Sequence, residues 1–304
     1  MDALSDVLGH VRLKQASWAC FLAASPWGIA FAEDKARVRF LYVARGDCWL
    51  SLDGEPAVAL STGTLAMLPH GHGFAVLDQP RRTPIRFDEL AYNTHHIKCG
   101  GGTDSDANLI YGAFAIEDSL EVPLFASLPP LIRIDEALPS FSQNLEFISR
   151  ELDSARPGAH VVLTRMADVI LVQMLRAYIE SLPEGTEGLF GALRDKHMAA
   201  ALGLLHQRPE LPWTVALLAD EVGLSRSAFA ARFAELVGEP PLAYLTRLRM
   251  QRASLLLRAG ATLAKASKFA GYASEASFSY AFRQWAGIAP GEYRKRARHA
   301  ASES

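Results

Sequence analysis

The side chains best suited to touch a partner fall in two short stretches, and neither has the make-up of a catalytic centre. In the first, Arg226, Ser227, Ala230 and Ala231 stand at helical spacing away from Phe229 and Phe233; in the second, Ser274, Glu275, Ala276, Ser279, Tyr280 and Arg283 stand away from Phe278 and Phe282. A carboxylate can accept from a cytosine amino group, an alanine methyl can touch a thymine methyl, and a guanidinium can reach guanine or a phosphate. This is chemistry for reading a duplex rather than for breaking bonds. No Ser/His/Asp or Cys/His constellation can be assembled from local spacing, and the carboxylates are too scattered to propose acid/base work. Cys20, Cys48 and Cys99 form no CxxC pair and no even set, which argues against a zinc finger or a disulfide framework and fits a reducing cytosol. His70, His72, His95 and His96 lie close in sequence, and His-x-His on a strand would put two rings on one face. His70 to Gly73 is glycine-flanked, however, so exposed loop-tip histidines are the commoner explanation and no metal or other cofactor is expected.

The elements that must carry these side chains are announced by a repeat. Phe229, Phe233, Gly238, Pro241 and Tyr244 recur 49 residues later as Phe278, Phe282, Gly287, Pro290 and Tyr293, whereas Gly223 and Gly271 are 48 apart. One extra residue therefore sits in the second copy's turn. Each copy reads as a short helix, a glycine turn and a second helix started by a serine cap, Ser225 or Ser274. That is helix-turn-helix geometry, in which the second helix enters the major groove. Between the copies, residues 242–259 read as a rigid helix bearing Arg247, Arg249, Arg252 and Arg258, each a candidate for phosphate contact. Such a connector would set the two reading helices about one turn of DNA, ~34 Å, apart.

Charge divides the chain in the same place. Residues 1–190 hold 15 Lys and Arg against 24 Asp and Glu, while residues 191–304 hold 16 against 9, so a net charge of -2 hides a basic C-terminal third. A basic module joined to an acidic remainder points to nucleic acid as the partner of one part only. At 304 residues, half of them hydrophobic, the chain can bury more than one core, and it has no apolar run long enough to span a membrane and no apparent signal peptide.

Residues 16–131 alternate short apolar runs with turn residues, as antiparallel strands of a β-barrel or sandwich do, with Asp53-Gly54 marking a hairpin. Gly63, Pro69, Gly71 and Phe74 keep the spacing of the second motif of the cupin superfamily, and the run around Leu41 and Arg45 resembles the first. Leu41, Arg45 and Phe74 stand where that superfamily's metal ligands would be. A barrel without ligands keeps an apolar interior with an open mouth, and Phe40, Tyr42, Trp49, Leu65, Met67, Phe74 and Val76 are candidate lining for a small effector, or simply core. In the run at 98–114, three glycines beside a short acidic stretch are expected as a loop that precedes another strand-like segment. From about Glu136 the period becomes helical: two helices flank Pro157-Gly158, and the second is apolar over an arc wider than one packing partner needs, which raises the expectation of a two-fold dimer. The segment 182–190 reads as a linker.

Residues of about 194–298, and most closely the stretch GYASEASFSYAFRQWAGIAPGEYRK, resemble the DNA-binding domain of the AraC/XylS family of bacterial transcription regulators. The N-terminal part resembles the cupin-type sensor of one branch of that family. The resemblance implies an α+β chain in three parts: a cupin-like β-barrel over 1–132, a helical linker and dimerisation region over 133–190, and an all-α double helix-turn-helix domain over 191–304. It also implies a cytoplasmic, commonly dimeric regulator without enzymatic activity that binds double-stranded promoter DNA, contacts RNA polymerase and answers to a small molecule. Relatives often carry a long polar side chain where this chain has Ala231, so the first reading helix is expected to position the domain and the second, through Glu275 and its neighbours, to choose sequence. A cupin metalloenzyme with a DNA-binding tail and a DNA-binding regulator without an effector are the competing readings.

Overall fold

The computed structural model describes residues 4–5, 13–53, 55–89, 96–116, 125, 127–135, 139–154 and 156–302. His95 and Gly54 lie outside the described residues. The chain divides into two compact units, one of residues 11–181 and one of residues 182–304 with 1–10.

In the first unit, β1 (Leu13–Ala24), β3 (Arg37–Arg45), β6 (Leu65–Leu68), β9 (His96–Gly100), β10 (Ala107–Ile116) and β11 (Ile132–Ile134) form a six-stranded sheet in the order β11-β6-β3-β10-β1-β9. A second sheet of β2 (Gly28–Phe31), β4 (Asp47–Leu52), β5 (Val58–Ser61), β7 (Phe74–Leu77) and β8 (Ile85–Arg86) runs β5-β4-β7-β2-β8. Pairing is antiparallel except for β1 with β9 and β2 with β8. Among the described residues the sheets end in separate edges, so the expected barrel is instead an unclosed pair of mixed sheets. The cupin motif keeps its backbone logic: Gly71 has φ +65, and a Cβ there would come 1.8 Å from the carbonyl of Asp34. The run at 98–114 is strand at both ends, as β9 and β10, with the bends between them at 101–106.

Strand alternation decides what meets what. Leu41 and Val43 of β3 join Phe21, Ile29, Leu50, Leu68, Phe74, Val76 and Leu109 in a buried core. Phe40 and Tyr42 point the other way. Phe40 packs against Trp18 and Phe114 at ring distances of 5.6 and 5.4 Å, and Gly112 has no side chain because a Cβ would lie 2.1 Å from the Phe40 ring. Tyr42 meets Phe141 and shares a 2.9 Å hydrogen bond with Ser142, both on α1 (Pro139–Ser154). Helix α2 (Ala159–Ser181), which follows the Pro157-Gly158 turn, packs on β1 and β11 and buries Leu163, Ala167, Ile170, Leu171, Met174 and Leu175.

The second unit is helical: α3 (Leu189–Ala192), α4 (Lys196–Gln207), α5 (Val215–Glu221), α6 (Arg226–Val237), α7 (Pro241–Arg258), α8 (Leu263–Phe269), α9 (Glu275–Ala286) and α10 (Pro290–Ser302). No described helix of the chain is long and apolar enough to cross a membrane.

Candidate nucleic-acid interface

The repeat in the sequence is a repeat of hydrogen bonds. Thr214 starts α5 by accepting from the Leu217 amide at 3.1 Å, and Thr262 starts α8 by accepting from Lys265 at 3.2 Å. Ser225 caps α6 through the Ala228 amide at 3.2 Å, and Ser274 caps α9 through Ser277 at 3.1 Å. The turns use Gly223 and Gly271 at φ +72 and +74, and left-handed Gly238 and Gly287 close the second helices. The extra residue of the second copy lies between Gly271 and Ser274, where it lengthens the turn without disturbing either helix. The threonine caps, also 48 residues apart, were legible at the same spacing as the glycines and belong to the repeat.

Three rings fix each second helix. Phe229 and Phe233 lie 5.6 Å apart, with Tyr244 of α7 edge-on to Phe233 at 5.8 Å and 77°; Phe278 and Phe282 lie 5.5 Å apart, with Tyr293 of α10 edge-on to Phe282 at 5.3 Å and 77°. All four phenylalanines are fully buried. The repeated Pro and Tyr therefore belong to the helix after each unit, which holds the reading helix from behind. Tyr244 also hydrogen-bonds His206 of α4 at 2.7 Å.

With those faces inward, the opposite faces stand free. Arg226, Ser227 and Ala231 of the first copy are exposed and Ala230 is half-buried; Ser274, Glu275, Ala276, Tyr280 and Arg283 of the second are exposed and Ser279 is half-buried. Tyr280 is 71% exposed, the largest value among the exposed large hydrophobic side chains described. Ser274 is less available than its position promised, because its hydroxyl serves the cap and bonds the Ser277 hydroxyl at 2.8 Å.

Three of the arginines that are candidates for phosphate contact, Arg247, Arg249 and Arg258, and with them Arg232, make contacts that hold the domain together. Arg232 reaches back to Asp195, its Nε donating at 2.7 Å, and Asp195 in turn caps α4 through the amides of His197 and Met198. Burial raises the Asp195 carboxyl, but the Met198 amide, the Arg232 guanidinium and the His197 amide together outweigh it and hold the carboxyl below its ordinary value. Arg247 pairs with Glu239 at 2.9 Å and lies over the Tyr244 ring. Arg249 donates to the carbonyls of Pro209 and Leu211, and Arg258 donates to the Tyr293 hydroxyl while covering its ring. These contacts span eight to forty residues of sequence, so spacing along one helix could not reveal them.

The first unit contains a cavity of about 1170 Å³. Of the candidate lining residues only Phe74 borders it. Phe40, Tyr42, Leu65 and Met67 are buried on the opposite face of the six-stranded sheet from the cluster around Leu41, Val76 belongs to that cluster, and half-buried Trp49 alternates with its residues Cys48 and Leu50. Side chains that do line the cavity, Phe31, Phe87, Tyr111 and Arg39, were not singled out by the sequence. A cupin metal does not fit the residues present: Leu41 and Phe74 fill two ligand positions with buried apolar side chains, and Arg45 donates to the Ser105 carbonyl. His70 is bound to the Leu128 carbonyl at 2.8 Å.

Two capped helix pairs, each backed by the same aromatic triplet and joined by one helix, define a double helix-turn-helix DNA-binding domain. A cupin family profile matches residues 2–180 and a helix-turn-helix domain profile matches residues 218–296. The chain is 33% identical to an AraC-like transcription regulator of Streptomyces lividans over 97% of this chain and 98% of that one. It is 32% identical to an AraC-like regulator of Streptomyces antibioticus, covering 97% and 99% of the two chains, and 28% identical to the HTH-type transcriptional regulator AlkR of Acinetobacter baylyi, covering 97% and 99%. The chain belongs to the AraC-type transcription regulators that carry an N-terminal cupin domain.

Proposed function

We propose that this DNA-binding transcription regulator reads a double-stranded promoter element chiefly with α9, and that a small molecule in the cavity of the first unit sets its activity. The observation that carries the reading is the outer face of α9, where Glu275, Ala276, Tyr280 and Arg283 are exposed while Phe278 and Phe282 anchor the helix. On the first helix, Ser227, Ala230 and Ala231 offer small side chains, suited to close approach and methyl contact, with Arg226 beside them for phosphate. In this reading 1–132 senses, 133–190 couples and dimerises, and 191–304 binds DNA.

Exposed Phe147 on α1 and Val161 and Val169 on α2, at 46%, 63% and 43%, support a homodimer through these helices. A regulator of this kind works in the cytoplasm, touches RNA polymerase at the promoter and needs no catalytic activity. The test is to map genomic sites by crosslinking and then titrate the purified chain against those duplexes by fluorescence anisotropy. Site-specific binding that weakens in Tyr280→Ala is expected; equal binding to unrelated duplexes would contradict the proposal.

A further inference from the structure

The cavity of the first unit has a wall of rings and, within it, a charge that the fold leaves unanswered. Phe31 stacks on Phe74 at 4.5 Å and 8°, on Tyr111 at 4.7 Å and on Phe87 at 5.0 Å, and all four rings line the cavity. Arg39 lines it too. On β3 it occupies an inward position of the same register as Leu41 and Val43, where an apolar residue is the rule, and it is only 5% exposed. Its guanidinium lies 6.0 Å from the centre of the Phe74 ring.

The protein supplies little to balance that charge. One Nη of Arg39 donates to the His72 carbonyl at a long 3.4 Å, and its Nε has no hydrogen-bond partner. Among the described residues no carboxylate forms an ion pair with it. The acids on the lining are engaged elsewhere or sit outward: Asp34 pairs with Arg37 at 3.2 Å, Asp88 with Arg86 at 2.7 Å and Glu33 with Lys35 at 3.6 Å, while Asp53 is exposed and Glu151 half-buried. A buried, under-bonded guanidinium destabilises a fold unless something completes it, and a planar carboxylate is its best complement. Arg37 and Arg86, the other arginines on the lining, are each paired with one of these acids, which leaves Arg39 as the lining guanidinium without a carboxylate among the described residues.

We infer that the cavity receives an organic anion, a carboxylate on an aromatic or otherwise apolar body, and that Arg39 holds its charge while Phe31, Phe74 and Phe87 hold its body. Burial pushes the Tyr111 phenol up to about 12, with Arg39 acting in the opposite direction, so this hydroxyl stays neutral and can donate a second hydrogen bond to the anion. The inference rests on the reading of this unit as an effector site and names the class of effector.

Isothermal titration of the full-length protein with 4-phenylbutyrate and with its neutral counterpart 4-phenylbutanol tests it. The wild type should bind the acid at least about tenfold more tightly than the alcohol. Arg39→Met should lose that preference while keeping its affinity for the alcohol, and Arg39→Lys, which keeps charge without the planar fork, should fall between. Because Arg39→Met removes an unbalanced buried charge, it should melt no lower than the wild type; the lysine variant carries the comparison should the methionine variant fold poorly. Equal affinity for acid and alcohol, an acid preference that survives in Arg39→Met, or no binding of the acid to wild type at about 10 mM would each overturn the inference. Binding of the alcohol with a change in DNA affinity, but without preference for the acid, would reject the anion and leave the effector reading standing.

Discussion

Tyr280 and Glu275 are where one side chain can be asked to account for sequence choice. A tyrosine 71% exposed on a helix whose other face is sealed by Phe278 and Phe282 gains nothing for folding, and its removal should cost binding alone. Tyr280→Ala is expected to weaken specific DNA binding by about tenfold, within the ~1–3 kcal/mol typical of a base contact, with an unchanged urea midpoint. Asp195 gives the opposite case, a charged group that serves the fold. As the α4 cap and the partner of Arg232, its replacement by alanine should cost about 1–2 kcal/mol in urea unfolding at pH 7. Its carboxyl is held below the ordinary value, so its contribution is complete above the unfolded value of about pH 4 and is lost as the pH falls through the folded value; the difference between wild type and Asp195→Ala should shrink in acid. The outward faces of α6 and α9 were legible in sequence because each residue on them sits within one helical turn of a buried phenylalanine. Arg232, Arg249 and Arg39 were not, because their roles depend on groups brought near by the fold: Asp195 lies 37 residues from Arg232, and Arg39 is defined by a strand register that composition does not fix.

At the scale of elements, the helix-turn-helix units were legible and the sheets only in part. A helix states its own period, its cap and its stop within a dozen residues, and the repeated Thr, Gly and Ser positions each make a local bond. Strands around β3, β4 and β6 were visible as apolar runs, but their partners were not: β3 pairs with β10 and β6, and β1 takes β9 in parallel. That is why barrel and sandwich could not be told apart from the sequence before the unclosed pair of sheets was seen, and why four of the candidate cavity residues, Phe40, Tyr42, Leu65 and Met67, proved to be buried on the other face of the six-stranded sheet. The caps allow a direct check. Ser225→Ala and Ser274→Ala should each cost about 1 kcal/mol by urea unfolding; equal costs would fit two equivalent scaffolds. On α2, Val161→Asp with Val169→Asp should turn a dimer into a monomer in sedimentation at micromolar concentration, about the range where such patches act. A wild type that is already monomeric there would contradict the dimer.

For the whole molecule, the charge contrast seen in the sequence keeps its sign across the structural division but is weaker there: residues 11–181 hold 15 Lys and Arg against 20 Asp and Glu, and residues 1–10 with 182–304 hold 16 against 13. A DNA-binding domain of this kind should lose affinity steeply with salt, log K falling by about 0.9 per phosphate contact for each decade of salt. With Arg247, Arg249 and Arg258 of α7 engaged inside the domain, that slope should be set mainly by exposed cations such as Arg226 and Arg283, and Arg226→Ala with Arg283→Ala should flatten it. The two helix pairs share a scaffold and each presents an exposed arginine, Arg226 or Arg283, but otherwise differ: small side chains on α6, a carboxylate and a phenol on α9. Selection of bound duplexes from a randomised pool, by the wild type, Ser227→Ala and Glu275→Ala, tests this asymmetry most directly. The account predicts that Glu275→Ala loses base preference over one half of the site while Ser227→Ala keeps the wild-type order with somewhat lower affinity. An unchanged preference in Glu275→Ala, or a loss of preference confined to Ser227→Ala, would contradict it.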